Sequence, residues 1–155
     1  MVDIMSKRQR SKLMGRIRSK GTSPERSLAR ALRREGLRPA RYRGPGKADF
    51  MFAAARVAVF VDGCFWHGCP AHYRRPSSNS SYWSWKRAYN RRRDRQTDSR
   101  LRGESWVVLR IWEHSLPRGA VRFARRAALL VRRRTQQSGG RLRTRAAEAR
   151  RSRSA

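Results

Sequence analysis

The chain has 155 residues, about one domain, and its 40 lysines and arginines against 10 acidic residues give a formal charge of +30. Few partners make such a charge useful: nucleic acid, or an anionic membrane surface. No run of about 18 apolar residues exists, which excludes a spanning helix, and the opening "MVDIMSKRQRSKLM" has no apolar signal-peptide core. The chain reads as cytosolic, where its two cysteines are metal ligands or free thiols rather than a disulfide.

The segment "TSPERSLARALRREGL" predicts the first helix. Ser23 can cap it, Pro24 suits the first helical position, Leu28, Ala31 and Leu32 give an apolar face, and Gly36 ends it. "KADFMF" (Lys47–Phe52) starts a strand after the "GPG" turn at Gly44–Gly46. "RVAVFV" (Arg56–Val61) and "WVVLRIW" (Trp106–Trp112) are β-branched runs of strand length. Helices are expected over roughly Tyr82–Arg102 and roughly Arg118–Arg134. The order helix, strands, helix, strand, helix describes a small α/β domain with a mixed sheet. Residues 1–131 form the expected body. Residues 132–155 carry nine arginines, one glutamate and only Leu142 as a large aliphatic, so they are expected to be a disordered tail.

Both cysteines and two of the three histidines fall in one stretch, "VFVDGCFWHGCPAHYRRP". The spacing Cys64-x4-Cys69-x2-His72 includes a common chelate loop, and His114 directly follows the last strand. Zinc takes four Cys sulfur and His nitrogen ligands in a tetrahedron, so Cys64, Cys69, His72 and His114 form a candidate closed Cys2His2 site. The alternative is two buried thiols and ordinary histidines. His67 is left without a metal duty. In a basic, nucleic-acid-facing loop it is a candidate general acid or base, or simply a hydrogen-bonded side chain.

Carboxylates are scarce, and against phosphate they repel unless a cation intervenes. Asp49, at a strand start, can hold magnesium together with phosphate oxygens. Glu25 sits in a first helical turn, where the macrodipole favours it. Asp94 in "RRRDR" can pair with arginines, and Asp62 can cap the loop turn.

Four motifs, "ADF" (Ala48–Phe50), "VFVDGCFWHGCPAH" (Val59–His72), "YW..K...N..RD" (Tyr82–Asp94) and "IWEH" (Ile111–His114), resemble the very short patch repair, or Vsr-type, endonucleases of bacteria. The opening Arg10–Leu32 is also similar to that family. The resemblance implies a restriction-endonuclease-like fold: a mixed sheet flanked by helices, with a structural zinc site. It implies a magnesium-dependent, strand-specific nick 5′ to the thymine of a T:G mismatch left by deamination of 5-methylcytosine. Asp49 then matches the metal-binding aspartate, joined by the backbone carbonyl of Val61. His67 matches the catalytic histidine, Asp94 its orienting partner, and Glu25 a supporting glutamate. Phe65, Trp66 and Trp83 match a wedge of aromatic side chains that pries a base step open. Composition alone would equally place those three in the core. The implied setting is bacterial, cytoplasmic and nucleoid-associated, with a monomer acting on double-stranded DNA alongside mismatch-repair factors and a repair polymerase.

Three departures stand out. Ala48 replaces a usual proline, Asp62 stands where some members have histidine, and His114 takes a cysteine's place. Two alternatives stand beside this reading: a non-enzymatic basic zinc protein that binds nucleic acid, in which Asp49 and His67 are incidental, and a related nuclease with a different target that uses the same residues.

Overall fold

The computed structural model describes residue 8, residues 20–40 and residues 46–151, with side chains as far as residue 137. Residues 10–19 of the amino-terminal motif and residues 44 and 45 of the "GPG" turn lie outside them.

The first expected helix is α1, Ser23–Arg34, and its cap is Thr22 rather than Ser23. Thr22 stays extended, and its hydroxyl accepts the Glu25 amide at 3.4 Å. Glu25 answers: Oε1 accepts from the Thr22 hydroxyl at 2.8 Å and Oε2 from the Gly21 amide at 2.7 Å. Threonine takes the cap because a glutamate lies three residues on and completes a capping box. Three residues after Ser23 stands Arg26, which cannot. The helix closes as a Schellman turn. Gly36 adopts φ +76°, its amide reaches Arg33, and the Leu37 amide reaches Leu32.

Three strands form one sheet in the order β1 (Phe50–Phe52), β2 (Val57–Asp62), β3 (Val107–Trp112). β1 pairs antiparallel with β2, and β2 pairs parallel with β3 from Val57↔Val107 to Asp62↔Trp112. β2 is central and covered on both faces, which is why it reads as an unbroken apolar run. Val57 and Val59 turn to one side, where they join Leu28 and Leu32 of α1 and Ala124, Ala127 and Ala128 of α4 (Leu116–Arg151). Ala58 and Phe60 turn to the other and meet Met51 and Leu101 of α3 (Ser80–Gly103). The fold is thus α/β, a three-stranded mixed sheet flanked by helices.

A short helix, α2 (Cys64–His67), was not expected from the sequence. It follows β2 at once and begins the crossover to β3. α4 also outruns its expected end. Its backbone stays helical to Arg151, through much of the segment expected to be a disordered tail. The expected boundary at Val131 lies inside this helix. Arg132 donates to the Glu35 carbonyl, and Arg134 to the carbonyls of Ala55 and Ser105, so the chain just past that boundary is fastened to the body. Arginine and alanine are strong helix formers and favour the helix on either side of residues 135–140, whose two glycines oppose it.

Leu32 is fully buried, whereas Leu129 on α4 is 67% exposed. Leu32→Ala should cost about 2–5 kcal/mol of stability, cavity included. Leu129→Ala should stay within about 0.5 kcal/mol. Urea unfolding of both variants checks the assignment of the α1–α4 interface.

Candidate active site and metal centre

The parallel pairing of β2 with β3 puts the carboxyl ends of both strands on one edge of the sheet, the usual place for a site in such sheets. Asp62, Gly63 and Cys64 leave β2 there, and Glu113 and His114 leave β3 beside them. β1 runs the other way, so Asp49, just before its first residue, reaches the same edge.

Cys64, Cys69, His72 and His114 come together as the sequence suggested. One ligand atom from each lies within 4.8 Å of the others. Cys64 Sγ is 3.1 Å from His114 Nδ1, and Cys69 Sγ is 3.6 Å from His114 Nδ1 and 3.7 Å from His72 Nδ1. A tetrahedral ion bound to sulfur and nitrogen would hold its ligand atoms about 3.3–3.8 Å apart, so the group could take such a metal with small adjustments. Burial pushes the Cys64 thiol up to about 11. Burial also opposes ionisation of Cys69, but hydrogen bonding from His72 and from nearby backbone amides outweighs it and lowers that thiol. Two local devices build the group. Gly68 turns the chain at φ +66°, and the Cys69 amide reaches back to the Cys64 carbonyl at 2.9 Å. The Glu113 carboxylate accepts the Cys64 amide at 2.6 Å, tying α2 to the end of β3.

A second cluster lies alongside. Asp49 Oδ2 accepts the Val61 amide at 2.7 Å. Burial raises the Asp49 carboxyl to about 6. The Val61 hydrogen bond opposes that rise, and the nearby charges of Glu25 and Asp62 add to it. His67 Nδ1 lies 2.6 Å from Asp94 Oδ2. That contact assigns the ring proton to Nδ1 and leaves Nε2 as the acceptor in neutral histidine. Burial would raise Asp94, but bonding to His67 and the charges of His67, Arg110 and Arg93 hold it low. Of the neighbouring arginines foreseen for Asp94, Arg93 lies at 3.8 Å, and Arg110, more distant in sequence, comes to 3.6 Å, yet histidine is its nearer partner. Glu25 is held in the α1 cap, and its charge still reaches Asp49.

Asp62 does not cap the loop turn. It is buried, and Arg110 Nη1 donates to its Oδ1 at 2.6 Å. Arg110 also donates to Asp98 at 3.0 Å, lies 3.6 Å from Asp94, and sits over the Phe60 ring. Burial still raises Asp62 above the ordinary carboxylate range, against the pull of Arg110 and His67. Sequence reasoning missed Arg110. The available signal was a cation inside the otherwise apolar strand "VVLRIW". It also gave no role to Glu113 or to Asn90, whose Nδ2 donates to the Trp66 carbonyl at 2.8 Å. Asn90 and Asp94 lie four apart, on one face of α3.

Phe65, Trp66 and Trp83 form one cluster. Ring centroids are 5.3 Å apart for Phe65–Trp66, 5.0 Å for Phe65–Trp83 and 6.1 Å for Trp66–Trp83. All three are half-buried, and none belongs to either apolar core.

Carboxylates and a histidine gathered on a strongly basic chain, beside a Cys/His group, are the equipment of a nuclease. Comparison with known proteins agrees. The profile of the family described as DNA mismatch endonuclease Vsr matches residues 2–73. The type II nicking enzyme V.NaeI of Lentzea aerocolonigenes is 45% identical over 122 residues, 72% of each chain. V.NmeDIP, a type II nicking enzyme of Neisseria meningitidis serogroup C, is 39% identical over 84% of this chain and 91% of its own. The DNA mismatch endonuclease Vsr of Escherichia coli K12 is 36% identical over 75% of this chain and 76% of its own. The chain belongs to the Vsr family of DNA mismatch endonucleases.

Arg110→Ala would leave Asp62 buried without its cation. At pH 7 that should cost about 3 kcal/mol of stability. The loss should shrink as pH falls, because a protonated Asp62 no longer needs a partner. Urea unfolding of wild type and variant at pH 7 and pH 5 measures both effects.

Proposed function

We propose that the protein nicks one strand of double-stranded DNA 5′ to the thymine of a T:G mismatch, in a magnesium-dependent reaction. The observation that carries this reading is the convergence of Asp49 and the His67–Asp94 pair at one sheet edge. Membership of an endonuclease family sets aside the non-enzymatic alternative. The three-stranded mixed sheet is compatible with a restriction-endonuclease-like core.

The residues fit the metals they are asked to hold. Asp49 is a buried carboxylate whose ionisation is opposed by burial and by two neighbouring negative charges, a site that a hard divalent cation relieves. Asp49 and the Val61 carbonyl would hold magnesium. Bound there, the ion would supply charge stabilisation at the scissile phosphate. His67, aligned by Asp94 through Nδ1, presents Nε2 to take a proton from the attacking water or return one to the leaving oxygen. Asp62, paired with Arg110, adds a second carboxylate near the same nitrogen, its Oδ1 3.7 Å from His67 Nδ1. Cys64, Cys69, His72 and His114 would hold zinc as a structural ion that locks α2 to the end of β3. On that lock stand Phe65 and Trp66, and Trp83 joins them from α3. Their partial exposure supports a wedge that opens the step at a mismatch, which resists unstacking less than a paired step does. The basic surface, with the arginines of the carboxyl-terminal segment, supplies phosphate contacts that carry affinity without sequence.

Strand-labelled duplexes holding T:G, T:A or C:G at one position test the reading. The T:G duplex should be cut in magnesium and spared in EDTA. Cutting T:A equally would remove the mismatch assignment. Varying the flanking pairs and the mismatch separates this target from those of a related nuclease. Asp49→Asn should lower cleavage by at least about a hundredfold, as several kcal/mol of charge stabilisation are lost, while DNA binding stays near wild type. Below pH 6 Asp49 takes up a proton, and a protonated carboxyl is a poor ligand. The magnesium needed for half-maximal cleavage should therefore rise as pH falls through that value.

Zinc makes a separate prediction. Purified protein should hold one equivalent, and Cys69→Ala should lose both the ion and thermal stability. His67→Ala should keep the zinc. Release of zinc by that variant would mean that His67, not His72, is the ligand.

A further inference from the structure

α3 presents two different faces. Trp83, Asn90 and Asp94 turn toward the site, where they meet Phe65, Trp66 and His67. Tyr82, Trp85 and Tyr89, spaced three and four apart, form a neighbouring stripe. Nothing in the proposed reaction uses this stripe, yet its side chains are 52%, 58% and 49% exposed. Three large aromatics held this far into solvent mark a contact surface rather than a stray apolar residue.

The stripe is ordered and continuous with the wedge. Trp83 and Tyr82 have centroids 5.1 Å apart, and Tyr82 and Trp85 6.1 Å. Trp85 and Tyr89 stack at 5.6 Å with planes only 24° apart. The charge around it has one sign. Residues 80–93, "SSYWSWKRAYNRRR", hold five cations and no acid, and Lys86 Nζ lies 5.4 Å from the Tyr89 ring centre. Flat aromatic faces set among cations suit nucleic acid, whose bases offer stacking planes and whose phosphates offer charge. An intact duplex keeps its base planes inside its own stack, so only unpaired nucleotides can use such faces.

We propose that Tyr82, Trp85 and Tyr89 are a stacking platform for unpaired nucleotides of a DNA strand. This rests on the reading that the wedge opens a duplex beside them, which would deliver unpaired bases to the platform. Opened bases would pass from the wedge to a second aromatic surface rather than return to the stack.

The test uses full-length protein and a fluorescent thymidine oligonucleotide of about ten nucleotides, within the usual site size for stacking surfaces. A matched duplex is the reference. The double variant Trp85→Ala/Tyr89→Ala should bind the oligonucleotide at least about tenfold more weakly, since each stacked base contributes that order of affinity. Its affinity for the duplex should stay within about twofold, because phosphate contacts dominate there. Trp85→Phe/Tyr89→Phe should keep single-strand binding, and Trp85→Leu/Tyr89→Leu should lose it, which separates ring stacking from general apolar contact. Equal losses on both DNAs, unchanged single-strand binding, or full binding by the leucine pair would each overturn the platform. So would a wild-type dimer in sedimentation that the alanine pair abolishes, for the stripe would then be a contact between copies. Mismatch cleavage is scored on the same preparations. Trp85- and Tyr89-dependent binding without mismatch cutting supports the platform and removes the mismatch reading. Mismatch cutting with single-strand binding indifferent to Trp85 and Tyr89 removes the platform alone.

Discussion

The parallel pairing of β2 with β3 is the constraint on which the site depends. With Val57 opposite Val107, the register runs to Asp62 opposite Trp112. Within two residues of that last pair, the chain delivers Cys64 from one strand and Glu113 and His114 from the other. A one-residue slip would exchange the faces of every β3 side chain. Arg110 would leave the side of the sheet where Asp62 and Asp98 wait, and Ile111 would leave the apolar core. The burial of β2 on both faces therefore does more than stabilise the domain. It fixes how far each strand extends toward the shared edge.

Charge is the second organising force, and it runs against composition. A chain with 40 cations has little trouble holding phosphate and much trouble keeping cations out of a site that needs negative charge. The structure gathers Glu25, Asp49, Asp62 and Asp94 at one edge and admits a single strand-borne arginine among them. Arg110 neutralises Asp62 and reaches Asp94 and Asp98. It comes from β3 and lies over the Phe60 ring, so its position is set by the sheet rather than by a flexible loop. Burial raises the Asp49 carboxyl to about 6, the charges of Glu25 and Asp62 add to the rise, and the Val61 amide and the charge of His67 oppose it. One carboxylate is matched with a protein cation and the other is not. On the proposed reading, that asymmetry would separate a structural aspartate from one completed by an external cation.

Much of this was legible in the sequence because the signals were local. β-Branched runs marked β2 and β3, a Pro and a Gly bracketed α1, and the spacing of two cysteines and two histidines picked out four side chains that do converge. What escaped was settled by contacts between distant segments. The four-residue helix α2 is too short to hold itself. Glu113, 49 residues away, accepts its first amide. Arg110 drew no role from the strand pattern, and the fold sets Asp62 and Asp98 around it. The cap of α1 moved from Ser23 to Thr22 because a glutamate three residues on decided between two hydroxyls. Asp49 and His67 were candidates on residue chemistry, the orienting role of Asp94 and the aromatic wedge came from resemblance, and the geometry sets these residues close together.

His67 joins these layers. Its backbone belongs to the turn that carries both cysteines, so a metal in the Cys/His group would brace it. Its ring is held from the other direction by Asp94 on α3. The same helix, one turn earlier, holds the Trp66 carbonyl through Asn90, and two turns before that it places Trp83 against Phe65. A rotation of α3 relative to α2 would therefore shift the aromatic cluster and the histidine together. Contact of a distorted base step with Phe65, Trp66 and Trp83 would press on the two helices whose relative placement sets the His67–Asp94 contact. On the proposed function, selectivity and catalysis would need no separate sensor, because the packing that would align the ring for proton transfer is the packing that a correctly stacked duplex would leave unengaged.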